Sequence, residues 1–211
     1  RKLIPSHYIQ IDNLEQNAVS RANYAMGDKI WSFDRAWKNA QIKKSHTFLR
    51  QMIDRRKSDI CIIVCNGPSL NLIDKQLLSK ADVIGCNGIF LDEEVARHID
   101  FFTCVNYLVA EQYAPQINEL EAFKILPWWL AYCINGSSNT NFVDAKGFPE
   151  FSTNMFENMS WRHTVTFFNL HLAYGLGYKK VLMVGCDHSY IQSDTAAEQD
   201  IIFEDQDDVN H

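Results

Sequence analysis

Ile60-Cys61-Ile62-Ile63-Val64-Cys65-Asn66-Gly67-Pro68-Ser69-Leu70 is the stretch on which the reading of this 211-residue chain turns. Its first six residues are apolar and mostly β-branched, and turn formers follow at once, so they predict a buried strand. Gly67-Pro68 predicts a tight turn. From Leu70 to Lys80 the pattern becomes amphipathic and predicts a helix capped by the Ser69 hydroxyl. Strand, glycine turn and helix in that order are how α/β proteins build a site for a nucleotide phosphate. Gly67 lets backbone come close to a ligand, and a helix N-terminus offers unpaired N–H groups to an anion. The same residues also make an ordinary turn with a cap, so the choice rests on the rest of the chain.

Beyond residue 58 apolar runs alternate with helical patterns. Strands are expected at 59–65, 82–87, 100–106, 122–127 and 180–186. Helices are expected at 70–80, 91–98, 107–120 and 164–176. Such alternation predicts an α/β, Rossmann-like parallel sheet with helices on both faces. Ligands of these sheets bind outside the carboxyl ends of the strands. Those ends carry Asn66, Asn87, Asn106 and Asp187.

Asparagine is depleted in strands, so three in succession at strand ends ask for a reason. An amide both donates and accepts without charge, which suits sugar hydroxyls, a ribose or the edge of a cytosine-type base. The competing explanation is that asparagine opens loops and tolerates left-handed backbone.

Residues 1–57 read as an N-terminal helical extension, with helices over Leu14–Met26 and Trp31–Lys57, and residues 58–211 as the nucleotide-binding domain. The second helix has an apolar stripe of Trp31, Phe33, Trp37, Ile42, Phe48, Leu49, Met52 and Ile53. Its other faces carry Lys43, Lys44, Arg50, Arg55, Arg56 and Lys57, a solvated surface or a docking face for an acidic membrane or partner. Residues 128–160 are loop-rich and expected to form an insertion over the active face. In it, Trp128 and Trp129 either stack on a ligand or anchor the loop. Arg162 and Thr164 open an almost wholly apolar helix, where a cation and a hydroxyl make a phosphate-binding pair or, for Arg162, a structural ion pair.

Composition narrows the function. With 46% hydrophobic and 22% charged residues and a net charge of −6, the chain has an ordinary globular make-up and no basic footprint for nucleic acid. No apolar run approaches the roughly 20 residues that span a bilayer. Six cysteines, mostly in expected strands and without a second pair at zinc spacing, read as buried thiols in a reducing compartment. A cytoplasmic location, possibly at the inner face of the membrane, follows as the expectation. The abrupt end after the acidic run Glu204-Asp205-Gln206-Asp207-Asp208 suggests a C-terminally cut chain. Asp205-Gln206-Asp207 matches a D-x-D metal motif, but an acidic run so far past a strand reads as a solvated loop.

Asn66-Gly67-Pro68-Ser69-Leu70, Cys86-Asn87, Val105-Asn106, Leu176-Gly177-Tyr178-Lys179-Lys180 and Gly185-Cys186-Asp187 together resemble the bacterial sialyltransferases of glycosyltransferase family 42. They also resemble the related motility-accessory and pterin-diphosphokinase-like group (former DUF115), whose Gly-x-Asp-x-x-Tyr pattern is similar to Gly185-Cys186-Asp187-His188-Ser189-Tyr190. The resemblance covers roughly residues 59–190. It implies that Asn66, Asn87 and Asn106 contact a CMP-type sugar donor, with Arg162 and Thr164 beside it. It also implies a histidine base beyond the Gly-x-Asp strand, His188 or His211, and a tyrosine on the leaving phosphate, for which Tyr190 stands one place out of register.

The leading expectation is therefore a metal-independent glycosyltransferase without a cofactor, active on a nucleotide sugar and a glycan acceptor. A histidine of pKa about 6.5 would serve as its base. One rival is pyrophosphate transfer from ATP to a pterin alcohol, which needs Mg²⁺ on carboxylates such as Asp187, Asp205, Asp207 or Asp208. A second is a nucleotide-binding module without catalysis. Peripheral membrane contact and homo-oligomer formation are open expectations.

Overall fold

The computed structural model describes residues 35–146, 151–157, 159–161 and 164–187. The expected helix over Leu14–Met26, the D-x-D run, and Arg162, His188, Tyr190 and His211 lie outside the described residues.

A six-stranded sheet forms the centre. It comprises β1 (Ile60–Val64), β2 (Asp82–Cys86), β3 (Phe101–Thr103), β4 (Phe123–Pro127), β5 (Thr140–Val143) and β8 (Lys180–Val184). The order is β5-β4-β3-β2-β1-β8 and every pairing is parallel. β1 sits between β2 and β8, and Cys61, Ile63 and Val64 are wholly buried. Their apolar run is what a strand covered on both faces requires, and each such side chain contributes about 1.5–3 kcal/mol. A small parallel pair, β6 (Ala145–Lys146) and β7 (Met159–Ser160), lies apart.

Two layers cover the sheet. Phe102 of β3 meets the ring of Phe90 at 5.7 Å, placing residues 87–91 on one face. Helices α2 (Glu93–Ala96), α3 (Tyr107–Gln112) and α4 (Ala114–Glu119) belong to the same run of connections, and Tyr113 stacks on Phe90 at 5.6 Å. Gly85 points into this layer, and a Cβ there would meet Ile99 and Ile89. On the other face Thr103 donates to Asn169 of α5 (Val165–Gly175) at 2.5 Å. Also on that face, Phe48 of α1 (Arg35–Ile53) packs on Phe123 at 5.0 Å. Leu49 and Met52 are buried, and Ser45 donates to the Phe142 carbonyl at 2.7 Å. From residue 35 onward, the segment expected as an appendage is thus a layer of the same core.

The expected strands are present, each trimmed at its ends. The expected helix over 70–80 is instead two 3₁₀ turns, Pro68–Leu72 and Lys75–Lys80, the second capped by Asp74. Leu70 and Leu78 are buried while Leu72 and Leu77 face outward, so each short turn buries one leucine instead of one continuous stripe. The helix over 107–120 breaks into α3 and α4, because Pro115 has no N–H to continue the ladder. The expected loop at 128–160 contains β5, β6 and β7. Trp128 and Trp129 are buried, with Trp129 against Trp161 at 5.2 Å and the Lys38 ammonium over Trp128 at 4.7 Å. They anchor the segment rather than wait for a ligand. No helix among the described residues is long and apolar enough to cross a membrane.

The Leu176-Gly177-Tyr178 stretch turns the chain into β8. Gly177 has φ +83°, which favours glycine. The Tyr178 hydroxyl donates to the buried Asp82 carboxylate at 2.7 Å, and the Lys57 N–H donates to the same oxygen at 2.8 Å. Burial and the Asp82 carboxylate both push the Tyr178 hydroxyl upward in pKa, so it stays a donor.

Candidate functional site at the switch point of the sheet

From β1 the chain progresses outward to β5 along one side of the sheet, then returns by α5 on the opposite face to β8 on the other side of β1. The direction of winding therefore reverses at β1. In open parallel sheets the crevice at the carboxyl ends of the strands flanking such a reversal is where ligands bind. Here the flanking ends carry Asn66-Gly67-Pro68-Ser69 after β1 and Gly185-Cys186-Asp187 after β8.

The two ends are tied together by backbone. Cys65 N–H donates to the Val184 carbonyl at 2.9 Å and Gly67 N–H to the Gly185 carbonyl at 2.8 Å. A Cβ on Gly67 would overlap the Asp187 carboxylate and the Gly185 carbonyl, and Gly185 has φ +69° against the Cys65 carbonyl. Glycine is required at both positions by close approach.

The Asp187 carboxylate accepts the Ser69 N–H at 2.7 Å. This corrects one expectation. Gly67, not Ser69, stands at the start of the 3₁₀ turn, and no side chain caps it. An acid of the protein already holds the loop amide that a phosphate was expected to take. Pro68 is exposed at the loop tip.

The N-terminus of α5 lies beside the same strand end. Thr166 of its first turn lies with its hydroxyl 3.6 Å from the Cys65 thiol, directly before Asn66. Thr164 caps this 11-residue helix by accepting the Phe167 N–H at 3.1 Å. The remaining N–H groups of the first turn carry the partial positive charge that draws an anion. Thr166 was not singled out from sequence. Its hydroxyl beside Thr164, at the head of an otherwise apolar helix, was the available signal.

The three asparagines fall at the carboxyl ends of adjacent strands, β1, β2 and β3, but differ in state. Asn66 is exposed, and its side chain makes no hydrogen bond to the described residues. Asn106 is half-buried and its amide oxygen caps α3, accepting the Leu108 N–H at 2.9 Å, so the loop-opening explanation accounts for its oxygen. Asn87 is 2% exposed, and its side-chain oxygen has no hydrogen-bond partner among the described residues. Its φ of +50° is the only left-handed value at a non-glycine described residue. The left-handed backbone is one that asparagine adopts readily, so the cost at this residue is the unpaired buried acceptor, about 1–3 kcal/mol.

Cysteines recur at the carboxyl ends of β1, β2, β3 and β8. Cys65, Cys86 and Cys104 are buried and Cys186 is half-buried. Contact with Cys65, then burial, raises the Cys86 thiol in pKa, and burial pushes Cys186 up to about 12. No cluster of three or more metal-binding side chains occurs among the described residues. A groove of 670 Å³ lined by Phe90, Arg97, Ile99, Glu119 and Phe123 lies near the amino ends of β3 and β4, away from the switch point. Set against models of known protein families, against curated proteins and against solved structures, the chain matches none.

Proposed function

We propose that this chain is a glycosyltransferase of the sialyltransferase-like kind, which binds a nucleotide-activated sugar, CMP-type by preference, in the switch-point crevice. The observation that carries the reading is Asn87. It is an amide held at φ +50° with an unpaired buried oxygen at the carboxyl end of β2. A buried polar atom left without a partner asks for an explanation, and contact with a ligand is one that compensates its cost. That oxygen is sealed from solvent, so a base amino group or a sugar hydroxyl would donate to it only once the residues covering it move aside. Asn66 would contribute a second amide from the rim. The first turn of α5, with Thr164, would face the phosphate, with Arg162 adding a cation next to it in sequence.

In the proposed reaction an acceptor hydroxyl attacks the anomeric carbon, a histidine takes its proton, and the nucleotide phosphate leaves. His188 and His211 are the candidate bases. The Asp187 carboxylate, through the Ser69 N–H, would hold the 66–69 loop in its binding shape.

A thermal-shift comparison of CMP, UDP, GDP and ATP, with and without Mg²⁺, tests the reading. Stabilisation by CMP that is indifferent to Mg²⁺, together with sugar transfer from a CMP-sugar, supports it. Stabilisation by ATP only in the presence of Mg²⁺ would move the assignment to the kinase.

A further inference from the structure

Cys65 and Cys186 end neighbouring strands, and their sulfurs are 2.8 Å apart. That is closer than two unbonded sulfurs normally approach and less than 1 Å longer than a disulfide bond of about 2.05 Å. The backbones carrying them are already fixed side by side by the Cys65 N–H to Val184 and Gly67 N–H to Gly185 hydrogen bonds. We infer that Cys65 and Cys186 are a modification site: a dithiol that closes to an intramolecular disulfide by exchange with a low-molecular-weight disulfide. This does not rest on the proposed glycosyltransferase activity.

The exchange balances in two steps. The half-buried Cys186 is the more accessible sulfur. Its thiolate attacks the small disulfide, forms a mixed disulfide and releases one small thiolate. The Cys65 thiolate then attacks the Cys186 sulfur and displaces the second small thiolate. The two protons lost by the cysteines end on the two released thiols. Cys65 and Cys186 are oxidised together and the reagent is reduced.

Cys86 is the competing thiol, because it also contacts Cys65. However, Cys86 is fully enclosed, so a reagent reaches Cys186 first. Burial and the neighbouring Cys65 thiol hold Cys186 up to about 12, so little thiolate is present near neutral pH. The exchange is correspondingly slow and quickens in alkali. Once formed, the bond would clamp the ends of β1 and β8 that frame Asn66 and Asp187, making the crevice mouth rigid.

The test uses the full chain. Protein is incubated with oxidised glutathione at mildly alkaline pH, the remaining thiols are alkylated, and intact mass and peptide maps are recorded. The expected product is about 2 Da lighter before alkylation, carries a 65–186 linked peptide, and reverts with dithiothreitol. The Cys65→Ser variant should instead stop at a glutathione adduct on Cys186, because the resolving sulfur is gone. Should Cys65→Ser fail to fold, Cys186→Ser gives an independent readout and should form neither adduct nor linkage at Cys65. Wild-type protein in which both cysteines remain alkylatable, or in which Cys186 keeps a stable glutathione adduct, or in which Cys65 links to Cys86, overturns the inference.

Discussion

Asn87 separates stability from binding more sharply than any other residue. Changing it to glycine relieves the left-handed φ and deletes the unpaired oxygen, at the cost of a looser unfolded chain. Asn87→Gly should leave stability unchanged or raise it by up to about 1 kcal/mol. CMP affinity should fall about tenfold, the value of one good hydrogen bond. Urea unfolding and calorimetric titration read the two quantities; a variant that is less stable yet binds normally would make the amide structural. At the rim, Asn66→Ala should weaken nucleotide binding and leave the melting temperature nearly unmoved. Lys124 offers a residue-scale test with no bearing on the ligand. It is fully buried in β4, donates to the Leu120 carbonyl at 2.6 Å, and burial lowers its ammonium to about 8. Its folded pKa lies below its unfolded one, so between about 8 and 10.5 the unfolded chain binds more protons. Its penalty is absent above that window and complete below it. Lys124→Met should therefore raise the urea midpoint at pH 7, with the gain shrinking as pH approaches 10.5. A pH-independent difference would refute this. Asn66, Asn87 and Asp187 were legible as strand-end residues because polar side chains interrupt apolar runs there. The unpaired oxygen of Asn87 was not, since it depends on what the fold places around the side chain.

Among the elements, the loop after β1 depends on closeness at Gly67. Gly67→Ala would press a methyl group into the Asp187 carboxylate and the Gly185 carbonyl. Destabilisation of about 1–3 kcal/mol is expected, with loss of nucleotide binding as the 66–69 loop shifts. Normal stability and binding would show that the loop tolerates being moved. Ser152 and Ser160 are held to α5 by His171, whose ring is buried. Ser152 N–H lies 3.1 Å from Nε2 and Ser160 N–H 3.0 Å from Nδ1. A neutral imidazole has one acceptor nitrogen, so it accepts one of these N–H groups, and an imidazolium accepts neither. Burial lowers the His171 pKa from 6.5. Its folded pKa is thus below the unfolded value, and the unfolded chain binds the extra proton. This contribution is complete above pH 6.5 and is lost as pH falls through the folded value. Protection of the Ser152 and Ser160 amides, measured against the intrinsic exchange rate at each pH, should fall on acidification, and His171→Gln should flatten that slope. An unchanged slope would place the acid sensitivity elsewhere, His46 being the other histidine among the described residues that burial depresses. Strands were readable because an apolar β-branched run has few other homes. Helices were less so. Leu70, Ile73, Leu77 and Leu78 mimic a helical stripe, but Asp74 caps a new turn in their midst. β5 escaped notice because Thr140-Asn141 follows a polar loop and carries asparagine inside a strand.

For the molecule as a whole, topology identifies the site more strongly than any motif. Alternation in the sequence was enough to expect a parallel sheet, but not to order it. The position of β8 beside β1, and hence the reversal, depends on which face α5 covers, and that is decided by contacts such as Thr103 with Asn169 that no local pattern encodes. The central claim is that the carboxyl-end crevice between β1 and β8 takes a nucleotide. An NMR titration of isotope-labelled full chain with CMP tests it most directly. The account predicts saturable shifts confined to the amides of 66–69, Asn87, 164–167 and 185–187. Saturable shifts centred instead on the Phe90–Arg97–Phe123 groove, or none with CMP, UDP, GDP or ATP, would contradict it.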